Sequence, residues 1–449
     1  VIDRARRAFS PTRNLRALGV PDTRHLAPLD GLRAIAILWT MSFHTAWFAF
    51  LVLPARTYGA MLNDARILFA WRGHFGVDLF FVLSGFLIAG ILFDERERSG
   101  GLRLGIFYAR RLMRLWPALL VAIALTAWQA EIRFADLWPY AFYVSNFLPV
   151  AQSRMGALWS LAIEEHFYLV CPWLVDAIAT LGTRGRLRVV LAIVIATCVI
   201  GACVVVAGGF HALDSEIVVN RGVASWARSY DSLYSKPWMR VGPLLAGVGA
   251  AILHRDERAR TAIAASGWTG TLALVLALVT IALVGGWNHF VFAPRWLEVL
   301  YMATHRALFG VAAACVLLLV ISSHRVGAAI GRVLAARIFH PIAQLAYSSY
   351  LLNPLITLYL HYHLSPRFEH ASAATFYFCM LPIDVIATLL AASLVYVFVE
   401  RPFMELRPRA STADAPARRL TMQLTAMLAL GVALPIALLY VVPALAPPR

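Results

Sequence analysis

Charge is what this 449-residue sequence has least of: Asp, Glu, Lys and Arg make up 14% of it, against about 25% in a typical soluble domain. Lysine occurs once, at Lys236, so the other 39 of the 40 basic side chains are arginine. Apolar residues reach 60%, where about 45–50% is usual, which excludes water as the main solvent. Cysteine is sparse as well. Cys171, Cys198, Cys203, Cys315 and Cys379 are odd in number, lie mostly in apolar runs and show no CxxC or Cys/His ligand spacing. That excludes a disulfide framework and predicts no metal site. No internal repeat, low-complexity tract or heptad pattern occurs. The first 25 residues are Arg-rich without the apolar stretch of a cleavable signal peptide, so they read as a basic tail.

What is present is a series of long apolar runs. A helix crossing a bilayer needs about 20 mostly apolar residues. Such runs occupy Leu32–Leu53, Phe75–Phe93, Leu115–Ile132, Leu158–Leu181, Val189–Gly208, Trp238–His254, Gly267–Gly286, Val299–Ser322, Pro341–His361, Ala374–Val399 and Leu420–Ala444. The segment Asp136–Val150 is short and interrupted by proline, so it reads as re-entrant or interfacial. The sequence therefore predicts an all-α polytopic membrane protein with a basic cytoplasmic tail at 1–28, a ten-helix body at 29–403, a cytoplasmic linker at 404–419 and an additional transmembrane helix at 420–449. Gly209–Pro237 is long enough for a small cap outside the bilayer.

The distribution of charge orients these spans. With a cytoplasmic N-terminus, 27 of the 40 basic residues fall on the cytoplasmic side, in the tail through Arg33 and in Arg96–Arg114, Arg184–Arg188, Arg255–Arg260, Arg325–Arg337 and Arg401–Arg419. The opposite connections hold 11. Positively charged loops stay on the cytoplasmic side, so the N-terminus is expected inside and, after eleven spans, the C-terminus outside. The net charge of +16 is then explained by topology and anionic lipid rather than by nucleic acid.

Ionisable groups inside hydrocarbon are costly and demand a reason. The first span begins LDGLRAIAILWTMSFH, with Arg33 near the cytoplasmic surface and His44 eleven residues on. Eleven steps of 100° make three turns plus about 20°, which puts both side chains on one face about 16 Å apart along the axis. A guanidinium suits a phosphate-bearing donor, and an imidazole can take a proton from a hydroxyl. On spacing alone such a histidine is more often a hydrogen-bonded packing residue than a catalytic one. The second span, GHFGVDLFFVLSGFLI, carries Asp78 and Ser84. Asp78 either orients His44, as carboxylates orient catalytic imidazoles, or pairs with an arginine such as Arg240 or Arg306. In FYARRLMRLWP, Arg110 and Arg114 share a helical face with Arg111 beside it. Such a cluster holds coenzyme phosphates or anchors the helix on anionic lipid. The fourth span opens LWSLAIEEHFYL and places Glu164, Glu165 and His166 in succession at or just inside the outer surface, with Ser160 and Glu164 on one face. A carboxylate there binds sugar hydroxyls or assists proton transfer, unless the three form an interfacial polar turn. Arg240 stands at the outer start of the sixth span, and Tyr347, Ser348, Ser349 and Asn353 lie in the ninth. Glu400 and Arg401 read as a surface-level structural cluster. His305, Arg306 and Asp384 lie within apolar runs without an assigned role.

Arg-x10-His in the first span, GVDLFFVLSGFLI, RRxxRxxP, LWSLxxEE followed by FYL, and ERPF occur in one order between Leu29 and about Phe403. Together they resemble the acyltransferase type 3 family of membrane-bound O-acyltransferases. The resemblance implies ten core helices that carry an acyl group, commonly acetyl, from cytoplasmic acyl-CoA to a hydroxyl of an extracytoplasmic sugar or glycan. Arg33, Arg110, Arg111 and Arg114 then hold the donor, His44 acts as the base or forms a transient acyl-histidine, and Glu164 and Asp78 assist. Ser160, Glu165 and Arg240 contact the acceptor; KPWMRVGP around Arg240 is similar to a eukaryotic-looking branch of the family. Two departures stand out. Many members carry His where this chain has Asn353, and Gln is common where it has His166. Some members continue after an eleventh helix into an SGNH-type esterase domain. This sequence stops at Arg449, so the acyl group is expected to pass directly to its acceptor or to a separate acyl-accepting partner protein, unless the sequence is a piece of a longer chain. The arginine-for-lysine bias hints at a GC-rich bacterial genome and hence a bacterial inner membrane. The rival expectation is a proton-coupled transporter or flippase with His44, Glu164 and Asp384 as a relay, for which repeats and paired broken helices are the signature.

Overall fold

A computed structural model describes residues 7–20, 26–212, 223–286 and 294–407. The expected helix at 420–449 and the outer part of the linker lie outside the described residues. Among the described residues there is no strand, and ten helices of about 19 residues or more follow the ten apolar runs. They are α1 (Pro28–Phe48), α2 (Phe75–Ser99), α3 (Leu104–Gln129), α4 (Trp159–Ile178), α5 (Thr183–Ala207), α6 (Pro237–Arg255), α7 (Gly267–Gly286), α8 (Arg295–Ile321), α9 (Phe339–Leu364) and α10 (Ala373–Val395). The chain is a polytopic membrane protein. Seven helical segments are long and apolar enough to span on their own, and an eighth follows if Arg325–Leu334 and Phe339–Phe368, bent by 69° at their junction, count as one. The helices that miss this standard are α4 and α6. α4 carries Glu164, Glu165 and Asp176, and α6 carries Arg240 and Arg255. Charges inside a bundle require protein partners in place of lipid.

α3 is longer than its apolar run, and the extra turns matter. α3 begins at Leu104 rather than Leu115, so Arg110, Arg111 and Arg114 lie within the helix and not in a connection before it. Segment 134–152 is a set of short helical turns, without a span.

Hydrogen bonds gather the connections at two ends. At one, which we call the basic end, Arg96 reaches Asp176 at 2.7 Å, Thr183 reaches Asp256 at 2.5 Å, His324 reaches the Gly267 carbonyl at 2.8 Å, and His340 meets Asp30 at 2.6 Å. There the amphipathic helix Pro11–Gly19 is tied to the turn after α10, through Asn14 donating to the Val397 carbonyl at 3.0 Å. At the other end Asp231 accepts from the Val150 amide at 2.8 Å, and Lys236 donates to the Asn146 carbonyl at 2.5 Å. A helix at Val223–Ser229 with its following π-turn, part of the expected cap, lays Trp226 against Trp47 here.

α2 and α6 cross at the centre of the bundle. A methyl group on Gly85 would run into the Leu244 carbonyl, and one on Gly247 into the Val82 carbonyl. Glycine at both positions lets the backbones touch, which is how helices associate when lipid supplies no hydrophobic drive between them.

Candidate functional site

α1, α2, α3, α4 and α9 surround an open cavity of about 230 Å³. Its apolar wall is largely α2, where Val77, Phe80, Ser84, Leu87 and Ile91 recur at helical spacing. Its polar wall comes from four other helices: Arg33 of α1, Arg111 and Arg114 of α3, Ser160, Glu164 and Tyr168 of α4, and Gln344, Tyr347 and Tyr350 of α9. Arg33, Ile91 and Gln344 lie toward the basic end, whereas Val77, Ser160 and Tyr350 lie toward the opposite one. The cavity thus runs along α2, from Arg33 at the basic end toward Tyr350.

Of the expected arginine cluster, Arg111 and Arg114 line the cavity and Arg110 does not. Residues at i and i+3 share a face as readily as those at i and i+4, and the rotation of α3 selects the first pair. Arg111 stacks its guanidinium over the Tyr168 ring at 4.3 Å, an arrangement that leaves its in-plane N–H donors for other partners. Arg114 keeps a buried Nε without a hydrogen-bond partner.

Glu164 takes the inner of the two expected positions, below the outer surface. It accepts hydrogen bonds from the Ser84 and Tyr168 hydroxyls, inside the bundle and on the same cavity as the arginines. Ser160, Glu164 and Tyr168 follow at i, i+4 and i+8 and face one way. Tyr168 and Tyr350 escaped the sequence reading; the repeat of polar residues along one face of α4 was the available signal for Tyr168. Ser160 bonds the Tyr350 hydroxyl at 2.5 Å, and Tyr350 donates to the Ala157 carbonyl at 2.7 Å, which closes the cavity at that end. Glu165 and His166 point elsewhere, into a smaller recess with Tyr143 and Trp116 that Arg111 also borders.

His44 lies just beyond the closed end. Its Nδ1 is 2.7 Å from Asn353 Oδ1, and Asn353 is three residues from Tyr350, about 4.5 Å along α9. The ring is 8% exposed and flanked by Phe43 and Phe48. One layer further, Asp384 Oδ2 accepts from the Thr45 hydroxyl at 2.8 Å and meets His361 Nε2 at 3.0 Å, with all three residues fully buried.

Asp78 is not the partner of His44. Fully buried, it accepts from Arg240 at 3.2 Å and also from Arg306. Arg240, itself 0% exposed, is stacked on Trp159 at 4.4 Å and Tyr234 at 4.2 Å and donates to the Tyr234 carbonyl. The carboxylate bridges two arginines and offsets one of their two charges in the low dielectric, and a guanidinium enclosed as Arg240 is has no face open to an acceptor. The arginine-pairing alternative for Asp78 therefore describes the structure, and Arg240 and Arg306 acquire a structural explanation. Glu400 is likewise buried, accepting from the Ser348 hydroxyl at 2.7 Å, rather than at surface level. Among the described residues no hydrogen-bonded chain joins Glu164 to Asp384, as the rival relay would need, and no His/Cys/Asp/Glu group has the arrangement of a metal site.

The sequence profile of the Acyltransferase domain family matches residues 26–399. Peptidoglycan O-acetyltransferase OatA of Listeria monocytogenes is 34% identical over 170 residues, 33% of this chain and 24% of the relative. The Bacillus subtilis protein named "Putative peptidoglycan O-acetyltransferase YrhL" is 32% identical over 194 residues, 38% of this chain and 27% of the relative. The matched stretch thus spans about a quarter of the length of these curated relatives. No solved structure matches the chain.

Proposed function

The chain belongs to the acyltransferase type 3 family, and on that premise we propose that it moves an acyl group, acetyl in the first instance, from cytoplasmic acyl-CoA to a hydroxyl of an extracytoplasmic glycan. The catalytic unit is residues 29–403, embedded in a bacterial inner membrane with the basic end facing the cytoplasm. Peptidoglycan, the acceptor in the name of the Listeria relative, is the first glycan to try. The acyl group goes directly to that acceptor or to a separate acyl-accepting protein.

One observation carries this reading: a single cavity has Arg33, Arg111 and Arg114 in its polar wall and ends one helical turn short of the layer that holds His44. Three guanidiniums toward the cytoplasmic end suit the phosphates of a coenzyme, whose oxyanions they bind in a fork. Arg110, off the cavity, is left to an outer phosphate or to lipid. The apolar α2 wall accepts the pantetheine arm, which is long enough to run alongside α1 toward the layer of His44. Parting of the Ser160–Tyr350 hydrogen bond then lets the thioester pass. His44 takes the proton of the acceptor hydroxyl as general base, or else accepts the acyl group transiently itself. Glu164, held by two hydroxyls on the donor path, contacts the reacting arm, whereas Glu165, in the neighbouring recess, contacts the acceptor only from outside the main cavity.

Purified protein in liposomes, supplied with labelled acetyl-CoA and peptidoglycan fragments, tests the proposal. Label should move to the glycan, and His44→Ala should lower transfer by at least about 100-fold while leaving folding and insertion intact. Undiminished transfer by that variant would sink the proposal. Coenzyme-independent accumulation of a solute in the vesicles would point to a transporter instead.

A further inference from the structure

A polar seam continues from the closed end of the cavity, and its geometry constrains which nitrogen of His44 can react. Asn353 is 1% exposed. Both of its amide hydrogens are engaged, by the Thr357 hydroxyl at 3.1 Å and the Thr388 hydroxyl at 3.2 Å. Its carbonyl oxygen, which can only accept, faces His44 Nδ1 at 2.7 Å. Nδ1 must therefore carry the ring proton, and in a neutral imidazole the lone pair then resides on Nε2. Thr357 lies one turn along α9 and Thr388 comes from α10, so two helices pin the amide in this orientation. Without it the imidazole would also sample the form protonated on Nε2, which cannot take a proton there.

We infer that Asn353 is a positioning residue that locks His44 in the Nδ1–H tautomer and confines proton transfer to Nε2. The inference rests on the reading of His44 as general base. In the step it serves, the acceptor O–H bond breaks and its proton goes to His44 Nε2. The oxygen forms its bond to the acyl carbon as the carbon–sulfur bond breaks, and the departing thiolate takes the same proton back as CoA thiol. An amide can orient the ring but has no proton to lose near neutrality. The proton thus returns through Nε2 and leaves on the coenzyme. The ionisable groups on the elements packed around α1 bond other partners: His361 and Asp384 each other, Asp384 also Thr45, His74 the Trp71 carbonyl at 3.0 Å, Asp78 the two arginines, His340 Asp30, and His305 the Tyr301 carbonyl. Among the described residues no carboxylate bonds His44.

The test compares the full chain with Asn353→Asp, Asn353→Leu and His44→Ala in liposomes, following release of CoA thiol from acetyl-CoA in the presence of peptidoglycan fragments across pH. Asn353→Leu removes the acceptor, and kcat should fall about tenfold or more with little change in KM for acetyl-CoA. Asn353→Asp keeps an acceptor on Nδ1–H, so activity persists. Its carboxylate, however, holds a proton on the imidazole more tightly, and the acid limb of kcat/KM should move to higher pH by about one unit or more. A wild-type kcat in Asn353→Leu, or a pH profile of Asn353→Asp that superimposes on wild type, overturns the inference. If Asn353→Leu fails to fold, the Asn353→Asp profile decides alone. Full activity in His44→Ala would instead remove the underlying reading. An inactive His44→Ala with an unshifted Asn353→Asp removes only the tautomer lock.

Discussion

Carboxylates inside this bundle sit in two different settings, and the hydrogen bonds around each tell them apart. Asp78 is fully buried between Arg240 and Arg306. Removing one member of a buried ion cluster leaves uncompensated charge and costs about 3–5 kcal/mol. Asp78→Ala should therefore lower the unfolding temperature in detergent and reduce membrane yield, with loss of activity following loss of fold. Glu164 is held by two neutral hydroxyls on an open cavity. Glu164→Gln can keep one or both hydrogen bonds, so it should unfold at the wild-type temperature yet transfer acyl groups at least about tenfold more slowly. Tryptophan fluorescence melts set beside transfer rates separate the two cases. Equal destabilisation by both substitutions would contradict the distinction. Residue types left the Asp78 pairing with Arg240 or Arg306 as one of two alternatives, and nothing in them pointed to Asn353 as the partner of His44. Asp78 lies 162 residues from Arg240 and 228 from Arg306, and His44 lies 309 from Asn353; spacing along one helix cannot report a partner on another.

At the scale of the element, α3 shows how a basic cluster can be legible while the face it presents is not. Its basic cluster was evident in FYARRLMRLWP, and helical spacing paired Arg110 with Arg114. The tertiary rotation of α3, set by packing of Ala118, Leu119, Ala122 and Ile123 in the core, turns Arg111 and Arg114 to the cavity instead. Charged hydrogen bonds to a phosphate are worth about 1.5–3 kcal/mol each. Arg111→Ala and Arg114→Ala should accordingly raise KM for acetyl-CoA by about 10- to 100-fold, and Arg110→Ala by much less. Steady-state kinetics on the three variants check the ranking, and an Arg110→Ala effect as large as the other two would show that the coenzyme does not follow the cavity. The spans themselves were easier to read than their faces. Lipid requires a long apolar run wherever a helix crosses it, so ten helices follow the sequence closely. Helix ends in polar surroundings face no such requirement, and α3 accordingly starts eleven residues before its apolar run.

For the whole molecule, the proposed chemistry has a direction, because the donor and acceptor lie on opposite sides of the bilayer. The connections rich in arginine are gathered at one end, with Arg96, Arg186 and Arg255 all hydrogen-bonded there to neighbouring helices. Arginine-rich loops remain in the cytoplasm, so the mouth of the cavity near Arg33 should face the coenzyme pool. Ser99 at the end of α2 belongs to this side, and Asn63, in the connection between α1 and α2, belongs to the other. In a background with the five native cysteines replaced, a membrane-impermeant maleimide added to intact spheroplasts should label Asn63→Cys at once. It should label Ser99→Cys only after permeabilisation. The reverse pattern would place the three cavity arginines outside, where acyl-CoA is absent. The cavity would then have to be assigned to another anionic ligand, whatever the outcome of the His44 experiment.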